Sequence, residues 1–238
     1  MISRFTDPIV SVLYPQFCGS CGSTVERVAD GAACRACWES TRLFGNADPL
    51  CQKCGLPLDS ASNETLSNCS GCADHHYDRA FAAGVYEKAM LASVLQLKRE
   101  PCISQTASSY LIQAFERIEI TPLIIPVPLS RRRRLERGFN QAAVLAKAVA
   151  RRSGLRMDEY SLARSSDTPM HRAAMDSKAR EATVAKAFEV VRPGLVRGQH
   201  ILLVDDLLTS GATVSQCARV LKKSGADKVI VLTLARAV

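Results

Sequence analysis

The stretch Ile201-Leu202-Leu203-Val204-Asp205-Asp206-Leu207-Leu208-Thr209-Ser210-Gly211-Ala212-Thr213 decides the fold. Four consecutive apolar residues describe a strand covered on both faces, as in a parallel sheet, and the two carboxylates predict that it stops there, at the sheet's mouth. A turn of small residues follows, and then a helix. The first N–H groups of a helix have no intrahelical acceptor and lie at the positive end of its dipole, so the turn Thr209 to Thr213 offers a seat for a phosphate. Asp205 and Asp206 stand beside it, where sugar hydroxyls require acceptors. A Walker B strand also ends in paired acids, but the G-x-x-x-x-G-K-[ST] loop it needs is nowhere in the chain, which argues against an ATPase.

Working outward, a helix over about 213–224 puts Val214, Cys217, Ala218 and Leu221 on one face, which makes Cys217 a core residue and not a ligand. Gly225 ends it, and Val229 to Leu234 reads as a second parallel strand. Strand, helix, strand recurs, so the fold class is α/β with a parallel sheet. Upstream, residues 79–121 read as a strand and two helices separated at Pro101. Leu91, Val94, Leu95 and Lys98 share one face of the first helix, while Ile103, Ala107, Tyr110, Leu111, Ala114 and Ile118 recur along the second. Lys98 and Arg99, at a helix end, either reach the site or answer the helix dipole.

Leu123 to Leu129, with Pro126 and Pro128, suits a strand that ends in a sharp turn. A loop bearing Arg131, Arg132, Arg133, Arg134 and Arg137 follows, and Asn140 caps the next helix. Eight basic residues and one acid, Glu136, fall between 131 and 152. Guanidinium forks grip pyrophosphate oxygens in pairs. In a doubly wound sheet such a loop can face the Asp-Asp turn, and it can equally track a nucleic-acid backbone or remain a solvated face.

Residues 1–78 carry four C-x-x-C pairs, Cys18/Cys21, Cys34/Cys37, Cys51/Cys54 and Cys69/Cys72, with 12 residues between the first two pairs and 14 between the last two. This spacing fits two four-thiolate zinc sites, whose sulfurs would lie about 2.3 Å from each ion. Pairing in chain order is preferred, with an interleaved arrangement as the alternative. Disulfides are the competing reading, disfavoured in a reducing compartment. His75 and His76 follow closely, but four cysteines per site leave them as surface residues. The division drawn is 1–78 for a double zinc ribbon and 79–238 for the α/β domain.

A chain of 238 residues that is 47% apolar can bury a real core. Asp7 and Pro8 interrupt the only early apolar stretch, and no window reaches the roughly 18 apolar residues of a membrane span, so the expected protein is cytoplasmic with no membrane insertion. Net charge is +8, yet residues 1–78 hold five Lys/Arg against nine Asp/Glu, which leaves +12 on the remainder. The basic body points to anionic partners, and the acidic ribbons to a protein-docking or self-stabilising role.

Val204-Asp205-Asp206 with Thr209-Ser210-Gly211-Ala212-Thr213 resembles the ribose-phosphate motif of type I phosphoribosyltransferases. Pro126-Val127-Pro128-Leu129, the arginines and Gly138-Phe139-Asn140-Gln141 narrow the resemblance to the ComF family, competence protein F or GntX-like proteins, which join a double zinc ribbon to a phosphoribosyltransferase-like domain. The resemblance covers nearly the whole chain. It implies that Asp205 and Asp206 hold ribose hydroxyls of 5-phosphoribosyl 1-pyrophosphate, directly or through Mg²⁺, and that residues 209–213 cradle the 5′-phosphate. It also implies a pyrophosphate loop over Leu129 to Gln141, in which Arg131, Arg133 and Arg137 are the candidate ligands and only one or two can face the site; Lys98, at its helix end, is a further candidate.

A lid is implied over 161–188, with Arg164, Asp167, Arg172 and Lys178 among its residues. There Thr168-Pro169, Arg180 and Ala187-Phe188 follow the family pattern. His171 and Thr183 depart from its Gln and Asn, and His171 reads as a polar loop residue, with a catalytic base as the alternative. Family membership further implies DNA uptake in natural transformation, with single-stranded DNA and a helicase-like protein as partners. Two functions stand from this reading. One is an enzyme that transfers phosphoribose to an acceptor the sequence does not name; the other is a DNA-binding adaptor with a non-catalytic transferase domain. Whether the chain turns over is left open.

Overall fold

Four apolar runs become one parallel sheet in the computed structural model, which describes residues 15–58, 69–165 and 187–238. The strands are β1 (Arg79–Val85), β2 (Leu123–Pro126), β5 (His200–Leu208) and β6 (Lys228–Arg236), in the order β1-β6-β5-β2. A separate antiparallel pair joins β3 (Leu162–Arg164) to β4 (Phe188–Val190). Ile201, Leu202, Leu203 and Val204 are fully buried, each contributing about 1.5–3 kcal/mol by burial alone.

Helices α2 (Lys88–Leu97), α3 (Gln105–Phe115) and α5 (Gln141–Ser153) cover one face of the sheet, and α7 (Ala212–Lys223) covers the other. Short helices α1 (Arg35–Glu39), α4 (Arg131–Arg137) and α6 (Pro193–Val196) complete the described residues. None of these helices is long and apolar enough to cross a membrane.

Two expectations need correction. The central strand does not stop at the acids. β6 continues to Arg236 beside it, and the register Asp205↔Thr233, Leu207↔Ala235 and Leu208↔Arg236 gives the next residues ladder partners, while Leu208 is itself buried. The acid pair therefore lies inside a strand whose residues before and after it are paired with β6, beyond the point where the pairing with β2 ends at Val204. The arginine stretch is not a loop but helix α4. Arginine is a good helix former, Ser130 caps the helix by accepting from Arg133 N, Arg132 Nε donates to Glu136 Oε1 at 2.7 Å, and left-handed Gly138 ends it.

The cysteine-rich segment wraps the free edge of the sheet. Phe44 N donates to Ala83 O, Val85 N to Arg42 O and Ala80 N to Lys53 O, which satisfies groups that an edge strand leaves open to aggregation. Cys18, Cys34, Cys37 and Trp38 join the core on the α2/α3 face. Cys51, Cys54, Cys72 and Tyr77 join the core on the α7 face. The approach at the edge is close enough that a Cβ on Gly84 would lie 2.7 Å from Arg42 O. Gly84→Ala is expected to force the wrapping segment off β1 and destabilise the chain by about 1–3 kcal/mol, read as a lowered thermal unfolding midpoint.

Candidate phosphate and metal sites

The acid pair is positioned by its strand. Side chains alternate across a sheet, so Asp205 and Asp206 leave opposite sides of β5. Asp206 is 6% exposed, and its Oδ2 lies 3.7 Å from Lys98 Nζ without a hydrogen bond to any group. Lys98 reaches it because it caps the C-terminus of α2, at the carboxyl end of the sheet. Asp205 keeps part of its surface open, and its Oδ1 accepts from Asp206 N at 2.9 Å. Dense packing around it pushes its carboxyl well above the usual carboxylate range, the neighbouring Asp206 adds to this, and Lys98 opposes it. A buried acid oxygen without a donor and a second acid reluctant to ionise are what a cation or a set of hydroxyl donors would satisfy.

Beyond Leu208 the chain turns at Thr209 and Ser210, passes Gly211 in the left-handed region (φ 79°) and enters α7 at Ala212. Thr209, Ser210, Ala212 and Thr213 are exposed, whereas Gly211 is buried. The first N–H groups of α7 thus face solvent with no intrahelical acceptor; that of Ala212 has only a long contact of 3.5 Å to Ser210 Oγ. Cys217, on the inner face of the helix, is fully buried and its thiol is pushed far up by that burial, as a core residue requires.

The arginine helix begins close by, because β2 is the neighbour of β5 and Val127 N donates to Val204 O at 2.8 Å. Its side chains divide. Arg131 and Arg134 line a crevice of about 280 Å³ with Pro128, Leu129 and Arg164. Arg137 Nη1 donates to Gln141 Oε1 at 3.0 Å, and Arg133 is exposed. Among the described residues no ion pair links Arg131, Arg133 or Arg137 to either aspartate. Asn140 caps α5 as expected, accepting from Ala142 N, and its Nδ2 donates to Val127 O. Asp167, Thr168, Pro169, His171, Arg172, Lys178, Arg180 and Thr183 lie outside the described residues. Arg164 and Phe188, which flank them, pair in β3 and β4, an antiparallel stem that periodicity did not announce.

The eight cysteines form two groups in chain order, Cys18/Cys21/Cys34/Cys37 and Cys51/Cys54/Cys69/Cys72, with all sulfurs of a group within 4.8 Å of one another. Individual separations are 3.6 Å (Cys21 to Cys34), 3.7 Å (Cys51 to Cys72) and 3.4 Å (Cys54 to Cys69). Sulfurs about 2.3 Å from a tetrahedral zinc stand about 3.8 Å apart, whereas a disulfide needs about 2.05 Å. The donor set therefore fits zinc. Cys54 N and Cys69 N point at Cys51 Sγ, at 3.5 and 3.2 Å, as amides do toward metal-bound thiolates.

Three residues near the turn were not read from the sequence as part of it. A Cβ on Gly211 would lie 2.8 Å from His75 Cε1 and 3.2 Å from Tyr77 Oη. His75 Nδ1 and Tyr77 Oη are 2.7 Å apart, and burial lowers the basicity of the imidazole while raising the phenol's pKa. Arg236 ends β6 beneath the turn, 7% exposed. A lone arginine closing the apolar run Lys228 to Arg236 was the available signal.

A ribbon-bearing, parallel-sheet protein with an acid pair in its central strand and a strand–turn–helix connection after it is the class these features define. The double zinc ribbon domain family matches residues 9–74, and the phosphoribosyl transferase domain family matches residues 140–237. DNA utilization protein YhgH of Shigella flexneri is 30% identical over 213 residues, covering 85% of this chain and 89% of that protein. Competence protein F of Haemophilus influenzae is 25% identical over 88% of this chain and 93% of its own length. Competence protein ComFC of Bacillus subtilis is 34% identical over 115 residues, 48% of this chain and 44% of that protein. The chain belongs to the ComF family.

Two predictions follow from the geometry. Metal analysis of the purified protein is expected to return two zinc ions per chain, and Cys21→Ser or Cys54→Ser to lower that to one. Asp205 has its folded pKa raised, so the fold prefers the protonated acid: its contribution is most favourable below the ordinary carboxyl pKa of about 3.9 and declines as pH climbs through the raised value. Asp205→Asn is accordingly expected to raise the unfolding midpoint at pH 7 by about 2–4 °C without added ligand, and to leave it unchanged at pH 4.

Proposed function

We propose that the protein binds 5-phosphoribosyl 1-pyrophosphate with Mg²⁺ at the turn that follows β5, and that it serves DNA utilisation or competence, the roles its relatives are named for, through the uptake of DNA. The observation that carries the reading is the buried, undonated Oδ2 of Asp206 beside Asp205, one short turn from the open N-terminus of α7. In this reading Asp205 and Asp206 hold the ribose hydroxyls or the waters of the cation. N–H groups and hydroxyls of Thr209, Ser210 and Thr213 surround the 5′-phosphate, with Gly211 and Ala212 giving it room. Mg²⁺ would supply positive charge between ribose and pyrophosphate. Lys98 holds Asp206 in place until the cation arrives.

If transfer occurs, its catalysis is mostly electrostatic. Charge develops on the leaving pyrophosphate, and Arg131 and Arg134 are the arginines whose crevice lies at the end of β2 to receive it. Arg137 is already engaged with Gln141, and Arg133 is not among the residues that line this crevice, so these two are the weaker candidates.

A second reading, a single-stranded DNA adaptor with a non-catalytic domain, draws on a groove of about 510 Å³. Arg134, Phe139, Lys147 and Arg151 line it along α5. Cations with one aromatic suit a nucleotide backbone and a stacked base.

Calorimetric titration of 5-phosphoribosyl 1-pyrophosphate with Mg²⁺ is expected to show one site per chain, weakened at least about tenfold in Asp205→Asn and in Asp206→Asn. Binding that survives both substitutions would place the ligand elsewhere. In the adaptor reading, single-strand affinity falls steeply with salt and drops in Arg134→Ala/Arg151→Ala, and an affinity indifferent to both removes it.

A further inference from the structure

The underside of the phosphate turn is built by the second cysteine site. Arg236 Nη1 donates to Leu208 O at 3.0 Å and to Thr209 O, the two carbonyls from which the turn departs, while Nη2 lies 4.0 Å from Cys54 Sγ. One guanidinium thus spans the turn and a metal ligand. Its Nε has no hydrogen-bond partner, and a charge so deeply buried is costly without negative charge nearby. Two carbonyl dipoles supply part of that charge. A four-thiolate zinc, formally −2, supplies the rest.

The chain leaving Cys72 closes the turn from the other side. His75 and Tyr77 press on Gly211 so closely that no Cβ fits, and His76 N donates to Ser215 Oγ at 3.0 Å in the first turn of α7. His75, His76 and Tyr77 follow Cys72 by three to five residues, so their placement depends on the knuckle that Cys69 and Cys72 form. The first cysteine site is differently placed. It packs on the α2/α3 face with Trp38 against Tyr110, and its cysteines share no core with Leu208 or α7.

We propose that zinc in the second cysteine site and a phosphate ligand in the 209–213 turn are coupled through Arg236 and the His75-Tyr77 pair, and that the first site is not. Arg236 is a positioning residue: it holds the turn's carbonyls down, so that the N–H groups on its other side stay presented to the ligand. Loss of this zinc frees both the guanidinium and residues 69–77, and the turn loses its floor. Coupling is reciprocal, so a bound ligand must also raise this site's affinity for zinc; because it holds Arg236 and residues 75–77 against the cysteines, the ligand also closes the path by which a thiol reagent reaches them, and the zinc leaves more slowly. The inference rests on the phosphoribosyl reading of the turn.

The test uses the full zinc-loaded chain. An organomercurial releases zinc from thiolates, 4-(2-pyridylazo)resorcinol reports it, and 5-phosphoribosyl 1-pyrophosphate with Mg²⁺ is compared with Mg²⁺ alone. One of the two zinc equivalents is expected to leave at least about fivefold more slowly with the ligand, the lower range of ordinary coupling between sites. Mass spectrometry of alkylated cysteines should assign it to Cys51, Cys54, Cys69 and Cys72. In Arg236→Met the ligand's affinity is expected to fall by the same factor or more and the protection to vanish, while the first site's release rate stays unchanged.

Ligand binding to the wild-type chain with unaltered release of both zincs overturns the coupling alone. Failure of the wild-type chain to bind the ligand overturns the phosphoribosyl reading and the coupling with it. The wild-type comparison stands even where Arg236→Met does not fold.

Discussion

The parallel pairing of β5 with β6 is the constraint on which the rest depends. It runs from His200↔Lys228 to Leu208↔Arg236, past the point where the acids begin. A carboxylate at a strand's frayed end can swing away from a neighbour of like charge. Asp205 and Asp206 cannot, because backbone bonds to β6 fix the peptides that carry them. The ladder therefore holds two acids at a spacing that neither would choose, and it carries Arg236 to a position beneath the turn. The acid pair and the arginine beneath the turn are both consequences of this nine-residue strand, eight of whose residues have partners on β6.

The energetics around the acids follow from this. A buried carboxylate without a donor costs free energy that the protein must recover elsewhere. Lys98 recovers part of it at 3.7 Å, too far for a strong hydrogen bond and close enough for attraction. Full pairing would have stabilised the free protein and left a cation nothing to gain. The incomplete pairing instead leaves Asp206 Oδ2 with unused hydrogen-bonding capacity, the premise on which the proposed cation or diol site rests.

Much of this was legible in the sequence because its signals are local. Ile201 to Val204 has no polar residue to spoil a two-sided burial, and the four C-x-x-C pairs fix a metal geometry through spacing alone. Ligand pairing in chain order was legible only as a preference, and the sulfur separations made it definite. The arginine stretch is a helix and not the expected loop because arginine's helix propensity and the Ser130 and Gly138 signals at its ends outweigh its density of like charge. The floor of the turn was illegible for another reason. His75 and Tyr77 touch Gly211 across more than 130 residues of chain, and no local pattern records such a contact.

The placement of the two cysteine groups explains why the ribbons are folded into this domain and not tethered to it. A parallel sheet is covered on both faces by its own helices, but its edges remain exposed. Residues 42–53 close the edge at β1 with backbone bonds, and that crossing necessarily puts one cysteine group on each side of the sheet. On the α2/α3 side the group joins the core of helices and strands there, with Trp38 against Tyr110, away from Leu208 and α7. On the α7 side the carboxyl ends of β5 and β6 are already there, so a group docked on that face must abut the turn. The proximity of the second cysteine group to the turn thus follows from the way this segment crosses the edge, and Arg236 is the residue that touches both.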